Sequence, residues 1–233
     1  MLAGLAAALA LAADAPGIVP FSAMAPGDLR EPWRLLSLVD VKPAEVALVA
    51  DDGATVLRVS SFAASGSVAQ SIDASPRGLA LAWRWKVDRI VQAADMERRA
   101  GDDYAARVYV FFDVPHSELP WRTRIKIAAI ELVYGKAIPT AVICYVWDNR
   151  HPVGTSQWNP YTDRVRMVVL RSGAGEVGEW KTERRDLEAD YRAAFGAGGE
   201  LPRVNGIAAG NDTDQTGEHA TAWFGDFRLE PLK

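Results

Sequence analysis

The sequence contains one cysteine, Cys144, among 233 residues. A single cysteine excludes an internal disulfide and any zinc site built from several cysteines. Cys144 lies within an apolar run from Ala141 to Trp147, so we expect a buried and inert thiol. The three histidines share no ligand spacing, and a histidine-based metal centre is therefore not expected.

The sequence also lacks an excess of positive charge. It has 26 Lys and Arg against 30 Asp and Glu, a formal net charge of −4 and a pI near 5.5. Without a global basic field we expect no nucleic-acid partner, and an anionic ligand would need a local basic patch. Long hydrophobic runs are missing too: no stretch reaches the roughly 20 apolar residues that a transmembrane helix needs.

Recognisable catalytic motifs are absent from the sequence. It has no Gly-x-Ser-x-Gly nucleophile elbow and no phosphate-binding P-loop. This absence favours a binding protein over the enzymes that use those motifs.

Residues 1–13 contain only Met1 followed by Leu, Ala and Gly, with no charge. The run is too short to span a bilayer but suits the apolar region of a signal peptide, and Ala10-Leu11-Ala12 fits a small-x-small cleavage pattern. We therefore expect a periplasmic or secreted protein. Because no basic residue precedes the run, a start codon further upstream and a disordered Ala-rich tail remain alternatives.

After an N-terminal extension at 14–45, short β-like runs separated by turn residues begin at Val46. Many strands and few helices predict a mostly-β, single-domain, jelly-roll-like sandwich over 46–233. Asp51-Asp52-Gly53 predicts a hairpin turn. The predicted strands are 46–49, 55–60, 67–72, 79–87, 105–112, 141–147, 165–170, 203–209 and 221–229.

Two segments have helical features. Residues 121–134 carry apolar side chains at helical spacing. Residues 186–195 begin at Asp186, a good N-cap residue, and end before Gly196, which suits a helix C-terminus.

Alternation along the strands predicts which side chains face the core, because neighbours on a strand point to opposite faces. It predicts Trp83 and Trp85 inside, as core residues and not as a sugar-stacking platform. Inward positions on other strands are Val108 and Val110, then Val142, Cys144 and Val146, and finally Val165, Met167 and Val169. The opposite face then gathers Arg84, Lys86, Arg107, Tyr109, Tyr145, Trp147 and Arg166.

Cations interleaved with aromatic rings suit a ligand that has a flat apolar face and negative charge. The alternative is an ordinary solvated sheet face with extended basic side chains. A register slip of one residue would also reverse the assignment.

Three loop residues extend this predicted binding site. Asp102 and Asp103, just before Arg107, are expected to pair with arginine or to bind ligand hydroxyls. As adjacent residues in an extended segment they point apart, which argues against the two-carboxylate geometry of a glycosidase. Trp158, in an aromatic loop, either caps a ligand or packs against the protein.

The segment from Asn211 to Glu218 is rich in oxygen donors and predicts a metal site. Asn211, Asp212 and Asp214 are the predicted ligands of a structural Ca²⁺, which takes six to eight oxygens. The loop lacks the glycine and distal glutamate of an EF-hand, and a turn bonded to its own backbone is the alternative. We predict no other cofactor.

Several motifs occur together along the chain. They are Trp83-Arg-Trp85, Gly101-Asp-Asp-Tyr-Ala-Ala-Arg107-Val-Tyr-Val, Asn159-Pro-Tyr-Thr162, Asp190-Tyr-Arg-Ala-Ala-Phe-Gly196, Asn211-Asp-Thr-Asp-Gln-Thr-Gly217 and Ala222-Trp-Phe-Gly-Asp226. Their order resembles a bacterial domain-of-unknown-function family, DUF3047. The resemblance covers roughly 46–229, and it implies a β-sandwich similar to carbohydrate-binding and galactose-binding-like modules, often secreted or periplasmic. It implies no particular activity.

These observations predict a non-catalytic binding module of the cell envelope for a carbohydrate or another polar ligand, acidic ligands included. One alternative is a glycoside-processing enzyme that uses carboxylates such as Asp102, Asp103 or Asp148. Another is a structural or interaction protein whose helix at 121–134 contacts a partner; the sequence identifies no protein partner.

Overall fold

The computed structural model describes residues 17–36, 40–115, 117, 119 and 140–232. Strands β1 to β7 are Arg34–Leu36, Glu45–Asp51, Ala54–Phe62, Ser65–Ala74, Leu79–Val87, Tyr104–Asp113 and Ala141–Asp148. Strands β8 to β13 are Ser156–Asn159, Thr162–Ser172, Lys181–Asp186, Arg203–Asp212, His219–Phe224 and Arg228–Pro231. Helix α1 is Leu187–Phe195, and short 3-10 turns span Phe21–Ala23 and Arg99–Gly101.

The strands form two sheets packed face to face. The seven-stranded sheet has the order β1-β4-β11-β6-β7-β9-β8, and the six-stranded sheet has the order β10-β5-β12-β3-β2, with β13 also paired to β5. Strands β7 and β9 pair in parallel, whereas the pairs on either side of them are antiparallel. The predicted mostly-β sandwich is confirmed.

The buried apolar side chains of the two sheets form two hydrophobic clusters. The larger lies between them and contains Trp83 and Trp85, which are 1% and 0% exposed. The prediction that this tryptophan pair is core is confirmed. The second cluster covers the opposite face of the seven-stranded sheet and includes Tyr109, Cys144 and Met167. The central part of this sheet is therefore buried on both faces.

Burial on both faces overturns the predicted orientation of two strands. All eight residues of β7 are buried, so apolar alternation carries no information about which face is the inter-sheet core. Tyr145 and Trp147 belong to the inter-sheet core, whereas Cys144 belongs to the second cluster. On β9, Met167 likewise faces the second cluster. For β7 and β9 the inward prediction is wrong; for β6, where Val108 and Val110 face the other sheet, it is confirmed.

The β2–β3 hairpin follows the sequence closely. Asp51 pairs with Ala54, and Asp52 and Gly53 between them have φ values of 51° and 74°. Two successive positive φ angles are the requirement of a type I′ hairpin turn, which favours Asp-Gly. The predicted turn is confirmed.

Other strand predictions need correction. The predicted strand 221–229 is two strands, β12 and β13, separated by Gly225, Asp226 and Phe227. Strands β1, β8 and β10 were not predicted. β10, with the sequence Lys-Thr-Glu-Arg-Arg-Asp, has no apolar residue and pairs with β5 at the edge of its sheet.

Helix α1 confirms the predicted helix at 186–195. The Asp186 carboxylate accepts a hydrogen bond from the Ala189 amide, which caps the N-terminus, and Gly196 ends the helix with φ 103°. The other predicted helix, 121–134, and the signal-like segment 1–13 lie outside the described residues.

Part of the segment that we assigned to an N-terminal extension belongs to the sandwich. Phe21 and Trp33 are buried in the main core, and β1 pairs with β4. The sandwich therefore begins before Val46. In the described ranges, no helix has the length and hydrophobicity needed to cross a membrane.

Candidate functional site

The predicted binding residues do not form one surface. Arg84 and Lys86 lie on the outer face of the six-stranded sheet, where both are partly exposed. Arg107 and Tyr109 lie on the outer face of the seven-stranded sheet, where both are buried. The prediction that these pairs share a face is wrong, because they belong to different sheets on opposite sides of the molecule.

A cation–tryptophan surface does exist around Arg84 and Lys86, and it includes Trp180 and Trp223. The Arg84 guanidinium lies 4.3 Å from the centre of the Trp180 ring, and Lys86 Nζ lies 5.0 Å from it. Lys86 Nζ also lies 4.7 Å from the Trp223 ring. Cations at these distances are attracted to the electron-rich ring faces.

Strand register extends this cation–tryptophan surface across the sheet. Lys86 of β5 pairs with Trp223 of β12, which pairs with Arg58 of β3. Because directly paired residues project to the same side of a sheet, a cation, a ring and a second cation stand in one row.

Two acidic residues of the β2–β3 hairpin hold the surface in place. Asp51 accepts hydrogen bonds from Lys86 Nζ at 2.7 Å and Trp180 Nε1 at 3.1 Å, and Asp52 accepts one from Arg84 at 2.6 Å. Burial alone would raise the pKa of Asp51, but hydrogen bonds from Lys86 and Trp180 lower it below 3.8. The carboxylate is therefore ionised at neutral pH.

A groove of about 330 Å³ lies beside Arg84. It occupies the site where β12 ends and Gly225 follows, and Trp83 forms part of its wall. The buried Trp83 Nε1 has no hydrogen-bond partner. The polar lining residues are Ser22, Thr55, Arg84, Thr182, Asp226 and Arg228.

The buried Arg107 and Tyr109 are bound to each other on the opposite sheet. Arg107 Nη1 donates to the Tyr109 hydroxyl at 3.3 Å, Nη2 donates to the Asp102 carbonyl, and the guanidinium lies 4.7 Å from the Tyr104 ring. Burial acts to lower the pKa of Arg107, but Tyr109 and the nearby carboxylates raise this pKa well above its usual range. Arg107 is a permanent buried cation.

Asp102 and Asp103 surround this arginine together with Asp212 and Asp214. Arg107 Nη2 lies 3.5 Å from Asp102 Oδ1 and 3.3 Å from Asp212 Oδ2. Burial raises the pKa of Asp102 and raises that of Asp212 well above 3.8, while Arg107 opposes both shifts. Oxygens of Asp103, Asp212 and Asp214 lie within 4.8 Å of one another, so these three residues could hold a metal ion.

Asn211, the third predicted metal ligand, points away from this cluster. Its Nδ2 donates to the carbonyls of Val59 and Ala220, at 3.1 and 2.9 Å, on the inter-sheet side of β11. Asp212, the next residue, instead lies beside Arg107, with its Oδ2 3.3 Å from Arg107 Nη2. Asp103 takes the place of Asn211 in the cluster.

Trp158 and Arg166 form a separate group at the edge strand β8. The Arg166 guanidinium lies 4.9 Å from the centre of the Trp158 ring. This ring packs against Phe195 of α1, with 5.6 Å between the ring centres. Arg166 also bonds to Ser156. Trp158 is 38% exposed and belongs neither to the cation–tryptophan surface nor to the acidic cluster.

Tyr145 and Trp147 are excluded from any surface by their burial, at 0% and 1% exposed. Tyr145 instead donates to Asp190 at 2.7 Å and ties α1 to the sheet. Asp148, considered as a catalytic carboxylate, accepts backbone hydrogen bonds from Arg150 and His151 and so closes a turn. Burial raises the pKa of the Cys144 thiol to about 12, as expected for an inert cysteine.

Sequence reasoning missed Trp180 and Trp223, the two rings of the cation–tryptophan surface. Trp180 follows a Gly- and Glu-rich turn that has no strand pattern, and only tertiary structure brings it against β5. Trp223 lies in the predicted strand 221–229, where its alternation with Ala222 and Phe224 marked it as outward-facing. That alternation was the available signal.

Several solved structures resemble this chain in fold. The xyloglucanase domain of NopAA from Sinorhizobium fredii shares 9% identity over 88% of this chain and 95% of that one, with a TM-score of 0.47. The Cel12A catalytic domain of Humicola grisea shares 12% identity over 85% of this chain and 92% of that one, with a TM-score of 0.44. The family 11 carbohydrate-binding module of a Clostridium thermocellum cellulase shares 8% identity over 94% of this chain and 96% of that one, with a TM-score of 0.43. Similarity at this level identifies neither a ligand nor an activity.

A search of curated proteins returned no match. In a scan of protein families, residues 31–228 match the family described as "Protein of unknown function (DUF3047)". This match covers both sheets, the cation–tryptophan surface and the acidic cluster. The chain belongs to the DUF3047 family.

Proposed function

We propose that this protein is a non-catalytic binding module of the cell envelope that binds a carbohydrate through the cation–tryptophan surface. The observation that carries the proposal is the fixation of Trp180. Asp51 holds its Nε1, while Arg84 and Lys86 lie over its ring. A ring held before the ligand arrives loses little conformational entropy on binding, which favours affinity.

The chemistry of this surface matches a sugar. An aromatic ring offers a broad apolar face to the C–H groups on one side of a pyranose, and charged groups form strong hydrogen bonds with hydroxyls. The surface contains two ion pairs, so its charges balance. Lys86 Nζ lies 2.7 Å from Asp51 Oδ2, and Arg84 Nη1 lies 2.6 Å from Asp52 Oδ2. A balanced set of donors and acceptors favours a polyhydroxylated ligand over a strongly charged one.

The groove beside Arg84 supplies a second contact region. Its volume of about 330 Å³ is at the lower end of the range for small-molecule sites. Arg84 belongs both to the groove and to the cation–tryptophan surface, so one ligand can contact both. A short oligosaccharide, with one unit on Trp180 and the next in the groove, fits this arrangement.

Glycan-array screening followed by calorimetry with the best glycan tests the proposal. Trp180→Ala should weaken binding by about 10-fold or more, since buried aromatic anchors carry most of the energy at binding sites. Trp158→Ala is the matched control, because Trp158 is another partly exposed tryptophan held by an arginine. Equal affinity in wild type and Trp180→Ala would reject the surface, and shortening of the bound glycan would favour the glycoside-processing alternative.

The cell-envelope location belongs to the same proposal and rests on the signal-like composition of residues 1–13. Fractionation of the native host with N-terminal sequencing checks it. A mature chain that begins near residue 13 in the periplasm or medium is expected. A chain with intact Met1 in the cytosol would contradict export.

A further inference from the structure

The acidic cluster is the second place in the molecule where chemistry-bearing residues converge, and the proposed carbohydrate binding does not use it. Asp103 precedes β6, Asp212 ends β11, and Asp214 lies in the loop between β11 and β12. The β11–β12 loop folds around Asp103, whose carboxylate accepts from the Thr216 amide at 2.7 Å and the Gln215 amide at 3.4 Å. Two segments distant in sequence, the residue before β6 and the end of β11 with its following loop, thus meet at these carboxylates.

Carboxylates outnumber cations among the described protein groups of this region. Asp102, Asp103 and Asp212 are 7%, 0% and 9% exposed, and Asp214 lies beside them. Arg107 is the cation paired with them among the described residues. These four carboxylates share one guanidinium, and buried carboxylates are strongly destabilising when ionised unless a cation compensates them.

Orphaned polar atoms at the same place provide a second and independent observation. Asp214 Oδ1 is buried without a hydrogen-bond partner. Asp102, nine-tenths buried, also has Oδ1 without a hydrogen bond, at 3.5 Å from Arg107 Nη2. Most buried polar atoms in native proteins are satisfied, so unsatisfied acceptors gathered at one point indicate a missing donor or cation.

The distances fit a hard cation. Ca²⁺ binds oxygens at 2.3–2.6 Å, so two ligands of one ion lie at most about 5 Å apart. The candidate oxygens of Asp103, Asp212 and Asp214 lie within 4.8 Å of one another. The cluster contains neither nitrogen nor sulfur ligands, and an all-oxygen set favours calcium or magnesium over zinc.

We propose that Asp103, Asp212 and Asp214 bind one Ca²⁺ ion that ties the beginning of β6 to the β11–β12 loop. Waters complete the coordination shell, and Asp102 contributes negative charge beside the ligands. Flexible, irregular carboxylate sites suit calcium better than magnesium, which demands near-octahedral geometry. The ion stabilises this end of the seven-stranded sheet. It does not contact the carbohydrate, since the cation–tryptophan surface lies on the other sheet.

Calorimetry and thermal melting of the full chain, first dialysed against EDTA, test this site. Ca²⁺ should bind with a stoichiometry of one and raise the melting temperature, because a ligand that binds only the folded state stabilises it. Mg²⁺, titrated separately, should bind more weakly. Asp214→Asn replaces a charged ligand with a neutral amide oxygen and should weaken Ca²⁺ binding by at least about 10-fold, since even outer-shell changes cost 10–100-fold.

Asp163→Asn is the control variant, because Asp163 is an exposed carboxylate outside the cluster. It should bind Ca²⁺ as the wild type does. Asp214→Ser is a second ligand variant in case Asp214→Asn does not fold, because serine also supports turn geometry. Absence of binding heat and of a melting shift in the wild type would overturn the proposal, as would unchanged affinity in a folded Asp214 variant. Neither result affects the test at Trp180.

Discussion

The outer faces of the two sheets use similar residues under different conditions. On the six-stranded sheet, Arg84 and Lys86 are partly exposed, pair with carboxylates and lie over tryptophan rings. On the seven-stranded sheet, Arg107 is 4% exposed and lies over the Tyr104 ring among carboxylates. The difference is solvent access. An accessible cation–aromatic group is available to a ligand, whereas the buried one maintains the fold.

The largest contrast is expected in stability. Replacing Arg107 with Leu leaves buried carboxylates without their cation and should lower the free energy of unfolding by about 3–5 kcal/mol. Arg84→Leu removes a partly exposed ion pair and should lower it by about 1 kcal/mol or less. Urea denaturation of both variants measures the difference. Similar losses for the two arginines would show that the faces are not distinguished by burial.

For glycan affinity, in contrast to stability, we expect the larger loss from substitutions on the six-stranded sheet. Arg84→Leu removes a cation from the Trp180 ring and a donor from the groove, so we expect roughly a 10-fold loss of glycan affinity. Calorimetry with the glycan found by array screening measures it. Tyr104→Phe removes an unsatisfied hydroxyl on the other face and should leave affinity unchanged. A loss of affinity in Tyr104→Phe alone would place the binding site on the seven-stranded sheet.

Ionisation of Asp51 should make glycan affinity at the cation–tryptophan surface depend on pH. Asp51 has a pKa below 3.8, so its stabilising interactions with Lys86 and Trp180 are fully present above that value and are lost as pH falls through the folded-state pKa. Glycan affinity should therefore be constant from neutral pH down to about pH 5 and fall only below about pH 4. Asp51→Asn should remove most of this acid-dependent loss. A decline centred near neutral pH would require another titrating group.

The smallest expected effect concerns Gly225, beside the groove. A Cβ added there would lie 2.4 Å from Arg84 Cγ, so Gly225→Ala should displace the Arg84 side chain. Because a flexible side chain can move aside, we expect a loss of stability of about 1 kcal/mol and a few-fold loss of glycan affinity. Gly175→Ala is a suitable control, since a Cβ there would meet no atom within 4 Å. Equal affinity in both variants would separate the groove from the binding site.

The sequence predicted the fold well because strand alternation, turn residues and helix caps are local signals. Asp52-Gly53 specifies a hairpin turn, and Asp186 with Gly196 specifies the ends of α1. It predicted side-chain direction correctly for β5, where one face is apolar and the other carries Arg84 and Lys86.

The candidate site was less predictable, because it depends on which strands share a sheet. Arg107 and Arg84 both face outward from the main core, but strand order places them on opposite sides of the sandwich. On β7 the alternation failed since every position is buried. Trp180 reaches the surface from a turn, where its Nε1 donates a hydrogen bond to Asp51. The two residues are 129 positions apart in the sequence, so no local pattern indicates the contact.

Two-dimensional NMR of the tryptophan indole N–H groups during a glycan titration tests the central claim most directly. If the ligand binds the exposed face of the six-stranded sheet, the Trp180 and Trp223 signals shift most and the Trp158 signal stays in place. Saturable shifts at Trp158, with Trp180 and Trp223 unmoved, would contradict the account.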